Sequence, residues 1–156
     1  MTGILKFNNV EVFGSDGKVT TAGMPAGSVL SFQETTYNTQ VNITSESFTT
    51  LSDILSITIT PKSTSSKFYL SANIPYKSSP HDKYLTGTFF KDDSDFLGLS
   101  YGLGMVGSGG TTNVVTHDNL VISYLDESSI PSTPVPIKYS VAFKVSASST
   151  SQQLFD

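Results

Sequence analysis

Apolar and polar residues alternate with a period of two along much of this chain. Leu55, Ile57 and Ile59 fall on one side of an extended backbone, and Ser56, Thr58 and Thr60 on the other. Beyond a Pro/Ser/Thr/Lys corner, Phe68, Leu70, Ala72 and Ile74 again share a face. The most regular stretch sets Ile137, Tyr139, Val141, Phe143 and Val145 against Lys138, Ser140, Ala142 and Lys144. Such alternation marks strands with one dry and one wet face. It belongs to antiparallel sheets rather than to a parallel α/β sheet, whose strands are apolar on both sides.

The same scheme places strands at Val29–Gln33, Tyr37–Ile43, Ser47–Leu51, Asp53–Thr60, Lys67–Tyr76, Tyr84–Lys91, Thr112–Leu125 and Ile137–Val145. No segment carries a helical period. About eight short strands separated by turn signals predict an all-β fold, an antiparallel β-sandwich or jelly roll. The domain spans residues 28–156, and residues 1–27 precede it as an extended N-terminal arm. Ile4, Leu5, Phe7, Val10, Val12 and Phe13 are too few for a core of their own, so the arm is expected to bury them against another chain or against its own domain. Asp16-Gly17 suits a tight hairpin, and Thr21–Gly27 reads as a linker.

Three polar or glycine-rich connections are candidates for contact with a partner: Lys77–Lys83, Asp92–Gly110 and Asp126–Pro136, the last stiffened by Pro131, Pro134 and Pro136. They and their borders supply the candidate binding residues His81, Asp82, Tyr84, Tyr101, Met105 and Asp126.

Composition narrows the function. Only 14% of the 156 residues are charged, below the usual quarter. Ser and Thr, about a quarter or more of the chain, take their place on the wet faces. The net charge is -4 and all nine cationic residues are scattered lysines. Nucleic acid is therefore not an expected partner. With no cysteine, thiolate metal sites, disulfides and Cys nucleophiles are excluded. No apolar run approaches the roughly 20 residues of a membrane-spanning helix, and no signal peptide is visible.

Catalytic motifs fail on context. Gly102–Gly107 matches G-x-G-x-x-G, but no helix is expected after it, as a dinucleotide site requires. It reads instead as a loop needing positive φ. Asp92–Asp95 lacks the glycine and final glutamate of a calcium loop and reads as a hairpin turn. His81-Asp82 and His117-Asp118 read as surface pairs. Asp82, Asp118 and Asp126 are the only loop carboxylates that a glycan-cleaving enzyme could use as a pair. No catalytic residue, metal site or cofactor is expected. Tyr69, Tyr76, Tyr84, Tyr101 and Tyr124 could stack on sugars, although packing is the commoner use of such rings.

Several of these segments carry a resemblance. Ser45–Leu51, Leu55–Pro61, Ser63–Lys67, Phe90–Gly98, Ile122–Asp126 and the Ser128–Pro136 loop leading to Tyr139 are similar to a module common in structural proteins of tailed phages, especially marine and cyanobacterial ones. Leu5–Phe7 and Ser15–Gly23 resemble segments that precede knob domains in phage tail fibres. Lys91 departs from the pattern, since arginine is common at its position. The resemblance implies a virion structural protein without catalysis, a short trimeric tail fibre or knob that attaches to other virion proteins through the arm. Its loops would meet the host surface, a glycan or a protein. A capsid decoration protein is the alternative, and a lectin or glycan-active enzyme a more distant one.

Overall fold

A computed structural model describes residues 5–7, 10–13, 29, 31–51, 53–77, 83–108, 117–128, 130, 135–146 and 152–154. His81, Asp82, Ile4, the Asp16-Gly17 turn and the Thr21–Gly27 linker lie outside them. The chain divides into two compact units, Met1–Gln33 and Glu34–Asp156.

In the first unit, β1 (Leu5–Phe7) and β2 (Val10–Phe13) pair antiparallel, with Phe7 opposite Val10 and Lys6 opposite Glu11. The two strands form a hairpin upstream of the Asp16-Gly17 signal. The stretch expected as a first strand, Val29–Gln33, is irregular where it is described.

The second unit is an antiparallel β-sandwich, as the alternation predicts. One sheet has the order β10–β6–β12–β3, from β3 (Val41–Ile43), β6 (Phe68–Lys77), β10 (His117–Asp126) and β12 (Gln152–Leu154). The other is built on β7 (Lys83–Lys91) and β11 (Ile137–Val145), which pair with each other. β4 (Thr49–Thr50) and β5 (Ser56–Ile59) both pair with β11, while β8 (Asp95–Leu97) and β9 (Gly104–Ser108) both pair with β7. Taken as one interrupted strand each, β4/β5 and β8/β9 flank that central pair. Every connection except the one from β7 to β8 then changes sheet.

The dry faces meet between the sheets. Leu70, Ile74 and Tyr76 of β6 and Leu120 and Ile122 of β10 pack with Leu85 and Phe89 of β7 and Tyr139, Val141, Phe143 and Val145 of β11. Gly104 shows how tightly the sheets close. A Cβ there would lie 2.7 Å from Ile122 Cγ2 and 3.2 Å from the Val121 carbonyl oxygen, so β9 reaches the backbone of edge strand β10 only because residue 104 has no side chain. That approach shields part of an edge that would otherwise be long and regular.

Two expectations need correction. First, the outer face of β11 is not wet along its whole length: its centre is covered. Ser140 is 1% exposed and Ala142 is fully buried, because Phe48, Phe90 and Phe96 form an aromatic layer on that side. The small side chains that read as solvent-facing are small because a second layer covers them. Second, Asp92–Gly110 is not one long loop. Asp92 and Asp93, at φ 49° and 59°, form a tight turn, with the Ser94 N–H donating to Lys91 O at 3.2 Å. Two successive positive φ values give the type I′ geometry whose twist suits a hairpin. The turn is tied to β11: the Lys138 N–H donates to Asp92 Oδ1 at 3.0 Å and Lys138 Nζ to Asp93 Oδ2 at 2.8 Å. The hydrogen bond from Lys138, with a further one from Ser140, lowers the Asp93 pKa against the opposing effect of desolvation. After β8, Gly98 and Gly102 take positive φ and the chain returns as β9. Of the G-x-G-x-x-G run, Gly102 has the left-handed conformation expected of a loop, whereas Gly104 and Gly107 lie in a strand.

Gly102 is the test of this packing. At φ +99° an L side chain is strained, and its Cβ would meet Thr86 Cγ2 at 2.4 Å. Gly102→Ala should destabilise the sandwich by roughly 2 kcal/mol or more, read as a lower urea midpoint at unchanged slope.

Candidate functional site

Three of the candidate binding residues converge. Tyr84, Tyr101 and Met105 line a depression of about 330 Å³ with Glu46, Thr86, Lys144, Val145 and Ser146. Its floor follows from the register. Lys144 on β11, Thr86 on β7 and Met105 on β9 stand in one cross-strand row. Ser146, Tyr84 and Gly107 form the next row: the Tyr84 N–H donates to Ser146 Oγ, the Ser146 N–H to Tyr84 O, and Tyr84 is register partner to Gly107. Tyr101 is brought over the floor by the turn in which the Gly102 N–H donates to Leu99 O at 2.7 Å. Tyr101 is 69% exposed and Met105 62%, large values for side chains of this size. Lys144 is held in place, its Nζ 4.5 Å from the centroid of the Phe48 ring.

Asp126 does something different from what its sequence position suggests. It was expected in a contact loop, but it ends β10 and is only 3% exposed. Its Oδ2 accepts from the Tyr139 hydroxyl at 2.7 Å and from Lys91 Nζ at 3.2 Å, and its Oδ1 from the Ser128 N–H at 2.9 Å and the Ser128 hydroxyl at 2.5 Å. Lys91 Nζ also donates to Ser128 Oγ at 2.6 Å. Burial alone would raise the Asp126 pKa; the hydrogen bonds from Ser128, Tyr139 and Lys91 more than reverse that and hold it at about 2. Burial, then the neighbouring carboxylate, raises the Tyr139 hydroxyl far above its ordinary range. Because β10 belongs to one sheet and β7 and β11 to the other, the group clasps the two sheets together at one end of the sandwich. It is a satisfied buried network in which Lys91 is paired with the Asp126 carboxylate.

Of the carboxylates weighed as a catalytic pair, Asp82 lies outside the described residues, and Asp118 and Asp126 do not meet. Asp118 is the second residue of β10 and Asp126 the last, so they stand roughly 25 Å apart along the strand, far beyond the reach of a paired acid and base. Among the described residues no three His, Asp or Glu side chains are grouped to hold a metal ion. The other tyrosines separate by environment: Tyr76 is in the core, and Tyr69 is 71% exposed on the opposite sheet with Val121 and Leu125. Sequence reasoning missed Glu46, Lys144 and Ser146 at the depression, and no local signal marks them. The pairing of β11 with β7 brings Lys144 and Ser146 beside Tyr84, and the Val145 N–H, donating to Ser45 O at 2.8 Å, brings in the segment that carries Glu46. No known protein family, curated protein or solved structure matches the chain.

The clasp predicts an acid dependence. The folded carboxyl titrates near 2 against an ordinary value of 3.8. Its contribution is therefore complete above a pH of about 5 and is lost as the pH falls towards 2, a change of about 2 kcal/mol. Urea melts across this range should show that loss in the native chain and a flatter profile in Asp126→Asn. Tyr139→Phe, which removes one hydrogen bond to a buried charge, should cost about 1.5 to 3 kcal/mol at neutral pH.

Proposed function

We propose that the chain is a non-catalytic structural protein of a bacteriophage virion, a short trimeric tail fibre or knob. Its N-terminal unit would join it to sister chains and to other virion proteins, and the sandwich would meet the host surface. The observation that carries this reading is the small first unit. An isolated two-stranded hairpin is marginal in water, and β1 and β2 have only three and four residues. Leu5, Phe7, Val10, Val12 and Phe13 are apolar in sequence, and Val29 and Phe32 at the end of the same unit are 81% and 76% exposed. Partner chains give such a segment its shelter, and closed cyclic homo-oligomers are the usual form.

Two further points support the reading. The strand order, with two interrupted strands each counted once, supports reading the sandwich as a jelly roll, an architecture shared by viral capsid and lectin domains. Lys91, Asp126, Ser128 and Tyr139, which lie in the segments behind the phage resemblance, form a single clasp, so those segments correspond to a structural unit. The decoration-protein reading draws on Tyr69, Val121 and Leu125, exposed together on the outer side of the β6–β10 pair, because a shell-clamping protein needs a flat docking face. Leu125 lies directly opposite Tyr69 in that register.

Sedimentation equilibrium of the whole protein should give three times the 16.7 kDa chain mass. Replacing Phe7 and Val12 together by Asp should yield a monomer whose sandwich melts at the native temperature. A native chain that sediments as a monomer would sink the trimer; particle imaging that places the chain on the shell would favour decoration over the fibre.

A further inference from the structure

We infer that the depression bounded by Tyr84, Tyr101 and Met105 is a binding site for one neutral pyranose ring. The inference rests on the proposed host-surface role only for the source of the sugar; the site itself is argued from its chemistry. A pyranose has an apolar face of C–H bonds and a rim of hydroxyls. The matching surface is an accessible aromatic ring with polar groups beside it, because the electron-rich ring face attracts weakly positive C–H edges. Tyr101 and Tyr84 supply such rings, 69% and 37% exposed, and a phenol hydroxyl can both donate and accept.

The remaining walls select against other ligands. Glu46 and Lys144 place one charge of each sign at the depression, which leaves no net field to capture an anion or a cation. An aromatic cage for a quaternary ammonium is disfavoured by the Lys144 ammonium, which is fixed 4.5 Å over the Phe48 ring. About 330 Å³ is at the small end of the range for ligand sites, the scale of a single ring rather than of an oligomer or a cofactor. Gly107, opposite Tyr84 in the register, adds no side chain to the row, so a single ring can approach from the β9 side. The site is built on three paired strands and one tight turn, so it is preorganised.

The experiment is an NMR titration of the full chain with labelled methionine methyls and tyrosine rings. The probes are methyl glucoside and methyl galactoside, with methyl glucuronoside and adenosine for comparison. The expected result is saturable millimolar binding of at least one neutral glycoside, shifting Met105, Tyr84 and Tyr101 and insensitive to added salt. Tyr101→Ala should weaken it roughly five- to tenfold, while Tyr101→Phe, which keeps the ring face, should retain most of it. Tyr101 is exposed, so an unchanged spectrum elsewhere reports that both variants are folded. Shifts confined to other residues, equal binding by Tyr101→Ala, no response to either neutral glycoside, or tighter binding of the glucuronoside or adenosine would each overturn the inference. None of these outcomes bears on oligomeric state, so the sugar site and the virion reading fail separately.

Discussion

Strand β11 is the constraint around which the second unit is organised. It pairs with β4, β5 and β7, and at its centre both of its faces are covered. On the inner side Phe143 and Val145 meet the core; on the outer side Ser140 and Ala142 lie beneath a layer of phenylalanines. A strand buried on both faces leaves its backbone no water to turn to, so its neighbours on each side must form for it to form. The sandwich is for this reason a closed set of mutual dependencies, and most of the links are between segments distant in sequence.

The Asp126 clasp belongs to the same logic. A carboxylate only 3% exposed is costly unless its lone pairs are filled, and here Tyr139, Lys91 and Ser128 fill them from three different segments. The cluster holds the end of β10 against β7 and β11. Two of its members, Lys91 and Tyr139, are also register partners, so the hydrogen-bonded ladder and the polar cluster secure one another. Lys138, one residue before Tyr139, locks the Asp92-Asp93 turn. One end of the sandwich is thus pinned by polar contacts. The aromatic depression lies further along the same sheet, where β11 ends beside the start of β7.

This division separates what holds the protein together from what it offers to others. Buried polar groups with every partner in place contribute rigidity. The residues available for contact, Tyr101, Met105 and Tyr69 among them, are large, apolar and exposed, and they sit on strands or tight turns rather than on long loops. Rigid elements that present exposed aromatic side chains bind at low entropic cost.

How much of this the sequence determined differs from element to element. Period-two alternation alone located β6, β7 and β11 to within a residue at each end, because a strand with one dry face must repeat every second residue wherever it sits. The Asp92–Asp95 turn was legible for a similarly local reason, since Asp and Ser favour tight turns. Local pattern did not reveal β8, β9 or β12, whose three to five residues are too few to establish a period. Nor could it distinguish the exposed from the covered side of β11, because Ser and Ala suit water and a tight interlayer contact equally well. Asp126 looked like the start of a polar loop, and only the meeting of β10 with β7 and β11 made it an interior anion. Tyr84, Tyr101 and Met105 could be nominated from their loops and borders, but their gathering into one depression with Glu46 and Lys144 was decided by cross-strand register. Register depends on partners far away in the chain, and no local window of sequence contains them.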